Sequence, residues 1–347
     1  MKFIDIFAGI GTIRMGFEKA GHECVYTVEW DKHKRQIYEI IFGEKPQGSD
    51  INDIKASDFP RADVWCFGFP CQDISVAGKQ MGFGGERSVL FFEVMRILSE
   101  TKEEHKPKYL FIENVKNLLS IGPERSDGES KWKGFDFLEV LYQMDAIGYD
   151  AEWQLINSSG WVPQNRERTF IIGHLRGRST KKVLPITRTS KKTLEQIIGG
   201  SQGQRVYSTN GISCTLSANG GGQGAKTGLH LVGNVNPNGV RITEATKKGY
   251  AIAKEGDSIN LAFPSSKTRR GRVGKGVAQT LDRSCNQGTL VRDEVRRLTP
   301  KECWRLQGIP DEITDRVIAA GISDGQMYIG AGDGCTVEPV YEIAKKL

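Results

Sequence analysis

The chain has no apolar run approaching the ~20 residues of a membrane-spanning helix, which excludes a helical membrane protein. Its start, Met1-Lys2-Phe3-Ile4-Asp5-Ile6-Phe7, reads as a short strand and not as a secretory signal. Seven cysteines occur without a single Cys-x-x-Cys pair. That argues against a zinc site and against a disulfide framework, so no metal is expected and a reducing compartment is. What is there is ordinary for a globular protein: 38% hydrophobic and 26% charged residues. At 347 residues the chain can bury a large core, and two domains are expected.

Charge is distributed unevenly. Between Arg176 and Arg297 there are 22 Lys and Arg against 7 Asp and Glu; elsewhere there are 26 against 35. A basic segment in an acidic body points to a polyanion, although a solvated basic surface without a partner has the same composition.

Residues 1 to about 175 alternate apolar runs with helical patterns. Strands are expected at Lys2–Ile6, Cys24–Val28, Val64–Phe67, Tyr109–Ile112, Ala151–Ile156 and Thr169–Gly173. Helices are expected at Thr12–Ala20, Lys32–Phe42, Ser88–Leu98 and Phe135–Ile147. This alternation implies an α/β fold with a mostly parallel sheet and helices on both faces. After Leu175 glycine and basic residues rise and helical periodicity fades, with Gly220-Gly221-Gly222-Gln223-Gly224 as a loop. Gly211-Ile212-Ser213-Cys214-Thr215-Leu216-Ser217 resembles Gly276-Val277-Ala278-Gln279-Thr280-Leu281-Asp282, either a small duplication or chance. Helices return at Lys301–Gln307, capped by Thr299 and Pro300, then at Asp311–Ala320 and Val337–Leu347. The last is too short to stand alone and is expected to return to the first domain. The expected domains are therefore 1–175 completed by 326–347, and 176–325.

Chemistry-bearing residues gather at strand ends. Phe7-Ala8-Gly9-Ile10-Gly11 joins the first strand to the first helix, where glycines let a ligand approach the backbone. It lacks a Walker lysine and is not a full dinucleotide fingerprint. Glu29 ends the second strand about 20 residues on, where an acid can hold ribose hydroxyls. Trp30 can stack on a base, and Asp50 and Ile51, read as the end of a third short strand, add an acid and an apolar wall. Gly68-Phe69-Pro70-Cys71-Gln72 follows the buried run Val64-Trp65-Cys66-Phe67 and sets a thiol at the mouth of a strand. Ile112-Glu113-Asn114-Val115 and Gln164-Asn165-Arg166-Glu167-Arg168 add a carboxylate and two cations. Singly, Glu113 reads equally well as a capping group and the arginines as a surface ion-pair cluster. Together they supply a nucleophile, an acid and a cation for developing negative charge.

Phe-x-Gly-x-Gly, Pro-Cys-Gln, Glu-Asn-Val and Gln-x-Arg-x-Arg, in this order within a likeness that covers nearly the whole chain, resemble the motifs of the DNA cytosine-5 methyltransferases of compact bacterial or phage type. The resemblance implies the Rossmann-like fold of S-adenosylmethionine-dependent methyltransferases with a smaller, irregular β-rich recognition domain. It implies Cys71 as the nucleophile on C6 of a flipped-out cytosine, Glu113 at N3, Arg168 at O2 and Arg166 in support. S-adenosylmethionine would lie against Phe7, Gly9, Gly11, Glu29, Trp30, Asp50, Ile51, Gly68, Pro70, Leu90 and Asp333. The loop after Cys71, with Ser75, Lys79, Gln80 and Arg87, would close over duplex DNA. Lys191, Lys192, Lys267, Arg269, Arg270 and Arg272 would meet phosphates, and Thr215-Leu216 or Thr280-Leu281 would read bases. Arg297-Leu298-Thr299-Pro300 and Leu306-Gln307-Gly308 match the motif that braces the recognition domain. The family's final Gly-Asn-Ser-Val is here Gly332-Asp333-Gly334-Cys335, a departure expected to alter cofactor affinity. Thr12 and Ser88 replace common glycines away from the chemistry.

The expected setting is a bacterial cytoplasm near the nucleoid, as a monomer, with or without a cognate restriction endonuclease; no long regulatory region precedes the first motif. Three alternatives stay open: an RNA cytosine methyltransferase, a non-catalytic DNA-binding protein on the same scaffold and, more weakly, a dehydrogenase, in which Cys71 has no task.

Overall fold

The first strand, β1 (Lys2–Ile6), is buried at four successive residues, Phe3 to Ile6. A strand covered on both faces belongs inside a parallel sheet between helices. The structure, a computed structural model, describes residues 1–69, 89–120, 134–186, 196–198, 206–207, 228–229, 239–254, 256–264, 266, 268–291 and 294–347. Met1–Ile156, Glu167–Thr187 and Val337–Leu347 form one compact unit, and Asn157–Arg166 with Arg188–Thr336 form a second.

In the first unit β1 lies between β2 (Glu23–Val28) and β3 (Val64–Gly68), parallel to both, and β3 runs parallel to β4 (Tyr109–Val115). Next in the chain come β5 (Tyr149–Asn157), β6 (Gln164–Asn165) and β7 (Glu167–Leu175). β7 joins β4 antiparallel, and the sheet order is β2-β1-β3-β4-β7-β5. Helices α1 (Thr12–Lys19), α2 (Lys32–Phe42), α3 (Val89–Glu100) and α4 (Phe135–Ala146) fill the connections. Alternate residues of β1 point to opposite faces. Phe17 of α1 packs its ring 4.9 Å from Phe3 and 5.1 Å from Phe111. Ile4 and Ile6 instead join Trp65, Phe67, Leu110 and Ile112 in the main core, with Phe91, Val94 and Leu98 of α3. Burying each such side chain contributes about 1.5–3 kcal/mol. Because β2 and β3 flank β1 on opposite sides, the C-terminal strand ends open a crevice of the kind in which such sheets bind ligands.

Two boundaries differ from expectation. The strand expected at Thr169–Gly173 begins at Glu167, because its pairing with β4 continues to Val115↔Arg168, and Arg168 lies inside it. Asp50 does not end a strand: it caps the short turn Ile51–Asp53, its carboxylate accepting the Asn52 backbone N–H at 2.9 Å. The closing helix Val337–Ala344 belongs to this unit and packs on α1. Gly16 is small enough for the contact; a Cβ there would sit 2.6 Å from Val340 Cγ1. Lys19 pairs with Glu338 across it at 2.5 Å.

The second unit is built of short strands. β8 (Gln196–Ile198) pairs with β9 (Val206–Tyr207), and β10 (Gly228–Leu229) edges a larger sheet. β11 (Val240–Thr243) and β12 (Tyr250–Ala253) form a hairpin. β13 (Ser258–Asn260), β14 (Val273–Gly274), β16 (Gln287–Val291) and β17 (Glu294–Arg297) complete the antiparallel order β10-β17-β16-β13-β14. β15 (Ala278–Gln279) pairs instead with β6. Of the two similar segments, Gly211–Ser217 falls outside the described residues. Helix α5 (Pro300–Leu306) starts as its sequence says: Thr299 Oγ1 accepts the Glu302 N–H at 3.3 Å and Glu302 Oε2 accepts the Thr299 N–H at 2.8 Å. Helices α6 (Asp311–Ala319) and α7 (Asp324–Asp333) follow. Among the described residues no helix is long and apolar enough to cross a membrane.

Candidate active site

The loop after β1 turns through Phe7, Gly9 and Gly11, all at positive φ (59°, 60° and 85°). Glycine is required at Gly11, where a Cβ would strike the Phe42 ring. At Gly9 a Cβ would meet nothing within 4 Å, so this turn borders open space. Glu29, 3% exposed, ties the neighbouring loop to it: Oε2 accepts the Gly9 N–H at 2.7 Å and Oε1 the Asp31 N–H at 2.8 Å. Each carboxylate oxygen retains a second lone pair for a hydroxyl. Arg35 supports the same loop, donating to the carbonyls of Glu29 and Gly48 at 2.7 and 2.6 Å. Trp30 is 73% exposed beside Glu29, while Ile51 is buried and Leu90 half-buried. A buried carboxylate, an exposed indole and glycine turns form a donor set suited to a nucleoside.

Two of the catalytic candidates, Glu113 of β4 and Arg168 of β7, meet. Glu113 lies opposite Gly68 in the β3–β4 register, and a Cβ on Gly68 would come within 3.2 Å of Glu113 Oε2. Glycine there leaves room for the carboxylate. Arg168 pairs with it, Nε to Oε1 at 2.9 Å, with both side chains largely buried. Arg168 Nη1 also donates to the Glu167 carbonyl at 2.8 Å, which fixes the plane of the fork. Sequence reasoning assigned no task to Asn114. Its Nδ2 donates to the Phe69 carbonyl at 2.8 Å, and its Oδ1 accepts the Val115 N–H at 2.8 Å. It thereby holds the backbone at the end of β3, one residue before Pro70. The signal was its place inside Glu-Asn-Val; Arg35 carried no comparable local signal.

Other expectations meet a different structure. Arg166 does not face Glu113 in the described contacts. It belongs to the second unit, is 1% exposed, and donates to the carbonyls of Leu281, Gly332 and Gly334 at 3.1, 3.0 and 2.6 Å. It braces backbone. Thr280 is exposed and donates its hydroxyl to the Asn165 carbonyl at 2.8 Å, whereas Leu281 is buried with its N–H on Gln164 Oε1, so Leu281 is taken up in holding β6. Arg272, 5% exposed, donates to the carbonyls of Asn260, Thr243 and Pro264, which takes it away from phosphates. Asp333 lies in the second unit and pairs with Arg283 Nε at 3.3 Å. Arg269 and Arg270 remain at the surface of that unit, each with one donor on a nearby carbonyl (Ala262 and Ala245). Pro70, Cys71, Ser75, Lys79, Gln80, Arg87, Lys191, Lys192, Thr215, Leu216 and Lys267 lie outside the described residues.

The profile of the family described as C-5 cytosine-specific DNA methylase matches residues 1–347, the whole chain. The chain belongs to the C-5 cytosine-specific DNA methylases. It is 38% identical over 272 residues to the Type II methyltransferase M.HhaI of Haemophilus parahaemolyticus, covering 67% of this chain and 78% of that protein. It is 32% identical over 353 residues to the Type II methyltransferase M.NgoBI of Neisseria gonorrhoeae, covering 100% and 92%. Among solved structures, the S. pombe Dnmt2 methyltransferase superposes with a TM-score of 0.60 at 14% identity, over 99% of this chain and 97% of that one. The Entamoeba histolytica methyltransferase EhMeth gives 0.58 at 17%, over 99% and 96%. These two establish the likeness of fold. The methylase is thus an enzyme that acts on cytosine in DNA and takes its methyl group from S-adenosylmethionine.

Proposed function

We propose that the enzyme methylates C5 of cytosine within one short duplex sequence by covalent catalysis from Cys71. The observation that carries this reading is the Glu113–Arg168 pair beside the strand end that leads into Pro70-Cys71. The Cys71 thiolate adds to C6 of a base turned out of the helix, and the electron pair moves toward N3 and O2. Glu113 hydrogen-bonds N3 and the exocyclic amine, and Arg168 meets O2. Holding the pair preformed means little reorganisation accompanies the reaction. Glu29, Trp30 and the Gly9–Gly11 turn, with Asp50, Ile51, Gly68, Pro70 and Leu90, would hold S-adenosylmethionine, which would supply an electrophilic methyl group to C5. Loss of the C5 proton and departure of the Cys71 thiolate restore aromaticity; the sequence names no base for that step, and water can serve.

The second unit carries target recognition. The Type II relatives favour a restriction-modification role; a cognate endonuclease, a bacterial cytoplasm and a monomeric methylase complete the reading. Purified protein incubated with methyl-labelled S-adenosylmethionine and mixed-sequence duplex DNA, followed by base-resolution mapping, should place 5-methylcytosine in a single motif. Cys71→Ala should abolish the label while leaving cofactor affinity within a few fold. Label in RNA alone would replace the substrate, and full activity of the Cys71 variant would remove the covalent step.

A further inference from the structure

Phe263 is 72% exposed, and its backbone lies in the left-handed region at φ 50°. Both features are costly: a large apolar ring is left in water, and a bulky side chain holds a conformation that glycine adopts freely. The loop nevertheless holds that shape through several contacts. Buried Arg272 donates to the Asn260 carbonyl below the loop and to the Pro264 carbonyl beside the ring. Buried Glu244 accepts the N–H groups of Arg272 and Val273 through one oxygen, at 2.7 and 3.1 Å. Asn260 Oδ1 accepts the Ala262 N–H at 2.9 Å.

The surroundings of the ring are cationic. The Arg269 guanidinium lies 5.2 Å from the ring centroid and donates to the Ala262 carbonyl at 3.0 Å. Ala245 donates its N–H to the Arg269 carbonyl at 2.7 Å, and Arg270 Nε donates to the Ala245 carbonyl at 2.8 Å. These bonds bring the β11–β12 turn, with exposed Lys247 and Lys248, alongside the loop. An exposed aromatic ring held in a strained backbone and rimmed by cations matches a side chain that stacks on bases between phosphates.

We propose that Phe263 is a wedge that stacks against a base step of the bound duplex, with Lys247, Lys248, Arg269 and Arg270 on the adjoining phosphates. The inference rests on the reading of the chain as a duplex-DNA methylase and adds a contact to it. Strain in the free protein is thereby compensated when the ring leaves water.

The test measures affinity for a fluorescein-labelled duplex carrying the methylated motif, together with Tm and S-adenosylmethionine affinity. Phe263→Ala should weaken duplex binding about tenfold and leave cofactor affinity unchanged. Phe263→Gly should weaken it as much while raising Tm, since the strain is relieved. Phe263→Trp should bind like the parent and show tryptophan quenching on DNA addition beyond that of the parent. Alanine and glycine variants that bind within twofold of the parent, while the parent methylates DNA, would overturn the wedge alone. A parent protein that neither methylates nor binds duplex DNA would overturn the methylase reading and the wedge with it.

Discussion

Arg166 and Arg168 stand two residues apart, yet they fall in different compact units and act on different partners. Arg168, in the parallel-sheet unit, meets a carboxylate at a strand end. Arg166, in the second unit, meets three backbone carbonyls. The contrast extends to both regions. In the first unit helices and apolar strands satisfy the backbone, and charged groups such as Glu29 and Glu113 gather at the ends of strands. In the second unit buried guanidiniums take up that role in part: Arg166 meets carbonyls at a helix end and in a loop, and Arg272 meets carbonyls at the ends of short strands and in a loop. A basic composition is therefore a poor count of DNA contacts: part of the cationic charge holds the unit together.

Exchanging the roles should separate chemistry from stability. Glu113→Gln should lower kcat by a factor of about a thousand or more, because the partner for N3 and for Arg168 is changed at the reacting centre. Its Tm should stay within a few degrees, and single-turnover kinetics with thermal melts check both. Arg166→Met and Arg272→Met should show the reverse. Each leaves buried carbonyls without donors, at a cost of about 3–5 kcal/mol, read by urea denaturation. An Arg166 variant that folds normally but loses only kcat would return Arg166 to the catalytic group.

A pH experiment sharpens the comparison inside the first unit. Asp5 of β1 is fully buried, and burial pushes its carboxyl up to about 8, offset in part by Arg14. Glu29 and Glu18 push in the same direction as burial. Between about pH 4 and pH 8 the folded state keeps a proton that the unfolded state has lost. Stability should therefore fall as pH rises through this window, and the contribution is fully present only below it. Asp5→Asn should flatten the profile measured by denaturation at pH 5 and pH 8; an unchanged slope would assign it to other groups.

The smallest effect is expected at Asp333. Its partner Arg283 is mostly exposed, so Asp333→Asn should change stability by less than about 1 kcal/mol, and salt should screen the difference. Isothermal titration with S-adenosylmethionine decides its other role: a change beyond a few fold would place Asp333 against the cofactor.

The sequence by itself determined the parallel sheet, the capped helix at Thr299 and the order of motifs that names the chemistry. These signals are local: a buried strand must be apolar along its length, a cap must lie three residues from its partner, and a nucleophile needs its flanking turn. It also indicated Glu29 and Glu113, because a polar residue directly after an apolar strand falls at the sheet's open end. Only the tertiary structure decided that Arg168 pairs with Glu113, that Asn114 holds the Phe69 carbonyl, and that Arg166, Arg272 and Leu281 are taken up internally. Asp50 was misread for the same reason, since a turn and a strand end look alike over two residues. Hydrogen-bond partners more than a hundred residues apart, such as Arg166 and Leu281, leave no periodicity to read. A guanidinium fits a phosphate or a cluster of carbonyls equally well, and only the packed chain shows which of them it meets.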